Sequence, residues 1–285
     1  MTATSATIPF GARFAAAVSD RGPVCAGIDP HAGLLAAWGL EDTVSGLEKF
    51  ALGAAEAIAG EAALVKPQSA FYERFGSRGI AVLEQVIATC REAGALVLLD
   101  VKRGDIGSTS QAYADAYLDP SSPLAVDAIT ASPYLGLGSL SPMFETATRH
   151  GGGVFVLALT SNPEAPQVQH ARVEDGAGRS VAGTVLAGLG DLNAGAEPLG
   201  SFGAVIGATI GETGESFDFN GPILAPGVGA QGGTIDDVRR IFGAAAAHVS
   251  PSSSRGLLRS GPDPVALRDA VRRENDAFRS LLGSA

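Results

Sequence analysis

The 285-residue sequence is 46% hydrophobic and only 18% charged, with a formal net charge of −10. This balance supplies a large core and excludes wholesale disorder. It also excludes a general affinity for nucleic-acid backbones, which needs a basic surface. Any anionic ligand must be held by a local site that opposes the global charge.

From the start of the chain, Met1 to Phe10 carries neither a basic start nor an apolar leader-type run. No apolar stretch approaches the roughly 18 residues needed to span a bilayer. The expectation is a cytoplasmic protein with no membrane partner and no nucleic-acid partner. Cys25 and Cys90 read as small buried apolar residues. Neither they nor the four histidines (His31, His150, His170, His248) fall into a metal-ligand spacing, so no metal is expected.

Short apolar runs recur along the chain. They span Val24–Asp29, Ala63–Lys66, Ala95–Lys102 and Ala125–Thr130, then Gly153–Leu159, Gly203–Gly207, Pro222–Ala225 and Ala245–Val249. Most are near-continuous rather than alternating, the pattern of parallel strands covered on both faces. Helical spacing fills the gaps: Leu47, Phe50, Ala54 and Ile58 recur on one stripe, and Leu83, Ile87 and Cys90 on another. The long segment 162–200 is predicted to hold a loop and a helix over 179–189. Asp263-Pro264 reads as N-cap and first residue of a last helix carrying Leu267, Val271, Phe278 and Leu282. About eight β-α units fit an α/β fold of the (β/α)8, or TIM-barrel, type, with residues 1–285 as a single domain. A doubly wound open sheet shares this periodicity.

The chemistry-bearing residues sit at strand ends. In Leu98-Leu-Asp-Val-Lys-Arg-Gly-Asp105, Asp100 and Lys102 are two apart on a strand and point to one side. They lie at its carboxyl end, the active-site face of a barrel, and Asp105 follows in the loop. Carboxylates on either side favour the charged ammonium. Asp29 ends the first run and Lys66 the second. Each alone reads equally as a cap or a surface charge, but four charges of alternating sign on one rim can form a network that grips hydroxyls. Ser161, after the fifth run, reads as a hydroxyl facing a ligand or as a cap before Pro163. Pro226-Gly-Val-Gly-Ala-Gln-Gly-Gly233 is poorly placed as a dinucleotide fingerprint and better placed as a phosphate cradle, with Gln231 as a neutral donor. Ser252-Ser-Ser-Arg255 adds a guanidinium suited to the same anion. Two ordinary turns are the alternative.

Together, Asp100-x-Lys102-x-x-Asp105-Ile106-x-x-Thr109 and Pro226-Gly-Val-Gly-Ala-Gln231 resemble orotidine 5′-phosphate decarboxylase. Thr160-Ser-Asn-Pro163 and the long segment around it are similar to the longer bacterial (type 2) branch. The resemblance runs from Val24 to Arg255. It implies a cofactor-independent carboxy-lyase that converts orotidine 5′-monophosphate to UMP and CO2, the last step of UMP synthesis. It also implies a homodimer with shared active sites. Carried over, Lys102 stabilises and protonates the C6 carbanion, and Asp100 holds it. Asp105, Ile106 and Thr109 serve the partner's site. Asp29 and Lys66 contact the ribose, Ser161 the pyrimidine, and Gln231 and Arg255 the phosphate, with Pro226 opening the phosphate loop. The chain departs from the pattern where serine rather than glycine precedes Arg255. A sugar-phosphate decarboxylase or synthase on the same barrel, and a non-catalytic phosphate-binding barrel, are the rival readings.

Overall fold

A computed structural model describes residues 7–174, 178–211, 213–228 and 232–279. Eight strands close into a parallel barrel in chain order. They are β1 (Cys25–Ile28), β2 (Leu64–Pro67), β3 (Leu96–Arg103), β4 (Ala128–Ala131), β5 (Gly153–Leu159), β6 (Phe202–Ile206), β7 (Ile223–Pro226) and β8 (Val249–Ser253). The closing contact pairs Cys25 of β1 with Ser252 of β8. The closed barrel rather than the open sheet is therefore the architecture.

Each strand alternates between two apolar environments, which explains the continuous runs. Residues such as Ala26, Val65, Val97 and Ile129 face the surrounding helices. Cys25, Leu64, Leu98, Ala128, Phe155 and Leu224 pack inside the barrel. Toward the carboxyl ends the inward positions turn polar, as Lys66, Asp100 and Thr130, all buried.

The predicted helices form, the one expected over 179–189 as Val181–Leu192 and the last with its expected Asp263 cap, while Leu282 lies outside the described residues. Thr43 accepts from Gly46 N at 3.2 Å to start Val44–Ile58. Asp263 accepts from Val265 N at 2.8 Å to start Pro264–Phe278. In the long segment after β5, Ser180 caps the helix Val181–Leu192. Among the described residues, no helix is long and apolar enough to cross a membrane.

Two features depart from the sequence expectation. The eighth strand is Val249–Ser253, not the run 245–249, because Gly243–His248 is a 3₁₀ helix. Alanine carries little β preference, and hydrophobic composition alone misplaced the strand. The second is a helix at Phe10–Arg21 that closes the amino-terminal end of the barrel. Phe10 and Phe14 pack into the inner cluster with Leu64, Leu98 and Phe155, and the Phe10 and Phe155 rings meet edge-on at 5.9 Å. Arg13 fixes this helix by pairing with Asp127 and donating to Gly151 O at 2.8 Å. Among the described residues this helix covers the amino-terminal end of the barrel, and the carboxyl end stays open as a cavity.

Candidate active site

A cavity of about 420 Å³ opens at the carboxyl end of the strands. Leu157, Val205 and Leu224 form its apolar wall, while the carboxyl ends of β1, β2, β3 and β8 deliver its charges. Of the residues singled out from sequence, Asp29, Lys66, Asp100, Lys102, Ser161, Pro226 and Arg255 all line this one cavity.

The charges alternate along a chain of contacts. Lys66 Nζ lies 3.8 Å from Asp29 Oδ1 and 3.2 Å from Asp100 Oδ2. Lys102 Nζ lies 2.6 Å from Asp100 Oδ1. Lys66 is 5% exposed and Asp100 7%, so water screens the contact between them little, whereas the Lys102 side chain is partly exposed to the cavity. Thr130 Oγ1 donates to Asp100 Oδ1 at 2.8 Å, and Lys66 Nζ donates to Gln68 Oε1 at 3.2 Å. Burial alone would raise the Asp100 pKa. Lys66, Lys102 and the Thr130 hydroxyl outweigh it and hold the carboxyl at about 2. Burial would likewise lower the Lys66 pKa, but Asp29 and Asp100 hold the ammonium above the ordinary lysine range.

The backbone that presents Lys102 is irregular. The β3–β4 register shifts between Leu99 and Arg103, and Lys102 has a φ of 46°. A side-chain-bearing residue rarely adopts this left-handed conformation. Its amide donates to Thr130 Oγ1 at 2.9 Å, so one hydroxyl braces both the bulged backbone and the Asp100 carboxylate. Strain held at a bulge in this way aims a side chain that a regular strand would place differently. Arg103 turns out of the cavity and pairs with Glu73 at 2.7 Å.

Three of the sequence candidates stand apart. Asp105, Ile106 and Thr109 do not line the cavity. Asp105 Oδ1 accepts from the Ile106 amide at 2.8 Å, and Ile106 is 63% exposed. Gln231 lies outside the described residues. The adjoining loop leaves β7 through Gly227, at φ 101°, and returns with Gly233 N donating to Gly227 O at 3.2 Å.

The cavity also gathers residues to which the sequence assigned no binding role: His31, Gln68, Thr130, Thr160, Ser252 and Ser254. Gln68 and Thr130 directly contact the charged chain. The His31 ring packs on Phe71 at 4.2 Å. Burial, with Arg255 and Arg74, lowers its pKa against the pull of Asp29. Their position at strand ends beside the charged residues was the available signal, but neutral polar groups at strand ends also serve as caps.

The chain is similar to known proteins over nearly its whole length. A family model described as Orotidine 5′-phosphate decarboxylase / HUMPS family matches residues 22–270. The orotidine 5′-phosphate decarboxylase of Nocardioides sp. (strain ATCC BAA-499 / JS614) is 71% identical over 274 residues, covering 96% of this chain and 100% of that protein. That of Streptomyces coelicolor is 60% identical over 267 residues, covering 93% and 95%. A crystal structure from Streptomyces avermitilis, assigned to orotidine 5′-phosphate decarboxylase, superposes with a TM-score of 0.96 at 56% identity, covering 100% of this chain and 99% of that one. The chain thus belongs to the orotidine 5′-phosphate decarboxylase / HUMPS family, and it is an enzyme.

Proposed function

We propose that this chain decarboxylates orotidine 5′-monophosphate to UMP and CO2 without a metal or organic cofactor. The observation that carries the reading is the alternating chain Asp29–Lys66–Asp100–Lys102, set in a cavity that also holds Ser161 and Arg255. An ammonium fixed by a buried carboxylate suits a reaction that builds negative charge on a carbon.

In this reading the pyrimidine lies over Lys102 with its edge toward Ser161. The ribose hydroxyls meet Asp29 and Lys66. The phosphate meets Arg255, the loop that starts at Pro226, and Gln231. The C6 carboxylate sits against Asp100. Breaking the C6–carboxylate bond releases CO2 and leaves its electron pair on C6. The Lys102 ammonium stabilises that charge through an interaction already in place before the bond breaks. It then gives a proton to C6, and solvent reprotonates the amine. Phosphate contacts remote from C6 supply binding energy that holds the reacting end in position. They also hold an anion against a net charge of −10.

Asp105, Ile106 and Thr109 serve the site of a second copy in this reading. Their place outside the chain's own cavity supports it, as do three exposed apolar residues in the loops after β3 and β4: Ile106, Tyr134 and Leu135. The reaction would be the last step of UMP synthesis, in the cytoplasm. The buried free thiols Cys25 and Cys90 suit such a reducing compartment. The test is turnover of orotidine 5′-monophosphate, followed by absorbance in excess EDTA. Release of UMP at an undiminished rate supports the reading. A requirement for added divalent metal transfers support to a sugar-phosphate reaction on the same barrel.

A further inference from the structure

Ser254 follows the last residue of β8 and precedes Arg255. Its hydroxyl oxygen is buried, and among the described residues no group hydrogen-bonds to it. A buried hydroxyl without a partner is unfavourable, so such a group calls for an explanation. Ser254 lines the cavity beside Arg255.

The neighbouring strand β1 is shaped around this side chain. A Cβ built on Gly27 would lie 2.6 Å from Ser254 Cβ and 3.1 Å from its Oγ. Gly27 is not among the residues with positive φ. The need for glycine at 27 is therefore the close approach of Ser254 and not an unusual backbone conformation. The two positions form one device: β1 gives up a side chain so that the hydroxyl at the end of β8 can occupy its space.

We propose that Ser254 donates a hydrogen bond to the phosphate of the bound nucleotide, next to Arg255, and that Gly27 makes the space that keeps this hydroxyl in place. The proposal rests on the decarboxylase reading. A phosphate monoester presents three acceptor oxygens, and the fork of one guanidinium addresses two of them. A hydroxyl one residue away supplies a further donor without adding charge. The ribose is the less suitable target, because Asp29 and Lys66 already offer it an acceptor and a donor.

Titration of UMP and of uridine isolates the phosphate contribution. Ser254→Ala is expected to weaken UMP binding about tenfold, the loss typical of one hydrogen bond to a charged group, and to leave uridine binding unchanged. Gly27→Ala is expected to show the same selective loss, with a lowered melting temperature. Adding Ser254→Gly to Gly27→Ala should restore the melting temperature without restoring UMP affinity. Unchanged UMP affinity in Ser254→Ala, or equal losses for UMP and uridine, would overturn the proposal. A melting temperature that the double variant does not recover would overturn the role given to Gly27. If the wild-type protein turns over orotidine 5′-monophosphate while Ser254→Ala binds UMP normally, this proposal alone fails. If the wild type neither binds UMP nor turns over, the decarboxylase reading fails with it.

Discussion

Asp100 holds two ammonium groups with its two oxygens: Lys102 Nζ at 2.6 Å on Oδ1 and Lys66 Nζ at 3.2 Å on Oδ2. Asp100→Asn keeps the shape and removes the charge that both lysines face. Lys66 would keep the amide oxygen of Gln68 at 3.2 Å, but its remaining carboxylate would be Asp29, at 3.8 Å. Steady-state kinetics should show kcat reduced by roughly 10²-fold or more, the scale set by losing one preorganised electrostatic contact. Urea unfolding should show a loss of about 3 kcal/mol, because removing one partner leaves a buried charge poorly compensated. Wild-type kcat in this variant would contradict the role given to Asp100.

Stability should fall at both extremes of pH, for different groups. The folded Asp100 carboxyl is held at about 2, against an ordinary 3.8. Its contribution is present above pH 3.8 and is lost as the pH falls through 2, because the unfolded chain takes up the proton first. At the alkaline end, burial pushes the thiols of Cys25 and Cys90 up from 9.0 to about 12. The folded chain then keeps protons that the unfolded chain releases, so stability falls as the pH rises from 9 toward 12. Lys66, raised above 10.5, acts in the same direction. Urea midpoints measured across pH should show Cys90→Ala flattening the alkaline limb by about 1.4 kcal/mol per pH unit. An unchanged slope would show that Cys90 titrates normally.

The left-handed backbone at Lys102 gives a second, independent handle. Lys102→Gly and Lys102→Ala both remove the ammonium, but only glycine adopts a φ of 46° without strain. The glycine variant should be the more stable of the two by about 1 kcal/mol, the size of the left-handed penalty for an L-residue. That order reverses the usual ranking, in which alanine stabilises by restricting the unfolded chain. An alanine variant more stable than the glycine variant by the usual margin of about 0.4–1 kcal/mol would mean that the bulge carries no strain.

Phe10 should matter to stability and not to chemistry. It is fully buried, at the end of the barrel opposite the cavity. Phe10→Ala should cost about 3–5 kcal/mol in urea unfolding with kcat retained where the protein remains folded. A kcat loss comparable to that of Asp100→Asn would show that the two ends of the barrel are coupled.

The barrel and half of its site could be read from the chain because charge is conspicuous at the end of an apolar run. Asp29, Lys66, Asp100 and Lys102 each follow buried strand residues, and all four reach one cavity. Thr130 and Ser254 were not distinguishable this way, since a hydroxyl at a strand end is as often a cap as a ligand. The bulge at Lys102 carries no glycine to announce it, and the contact that holds its amide, the Thr130 hydroxyl on the neighbouring strand, is non-local. The eighth strand was displaced by an alanine run that folded as a 3₁₀ helix. The helix Phe10–Arg21 did carry a signal, because Phe10, Phe14 and Val18 repeat every four residues and are its buried face.

A shared site makes a prediction about mixtures. If Asp105 completes the site of a second copy, Lys102→Ala and Asp105→Ala are each inactive alone. Refolded together, they should recover about a quarter of wild-type activity, since half of the dimers are mixed and each mixed dimer rebuilds one of its two symmetric sites. A mixture as inactive as its components would place both residues in one site.

The most direct test of the account is to give orotidine 5′-monophosphate to the wild-type chain and to Lys102→Ala, and to follow absorbance, with UMP titrated into both. The account predicts turnover by the wild type, no detectable turnover by Lys102→Ala, and UMP binding by both. Undiminished turnover in Lys102→Ala, or none in the wild type, would contradict it.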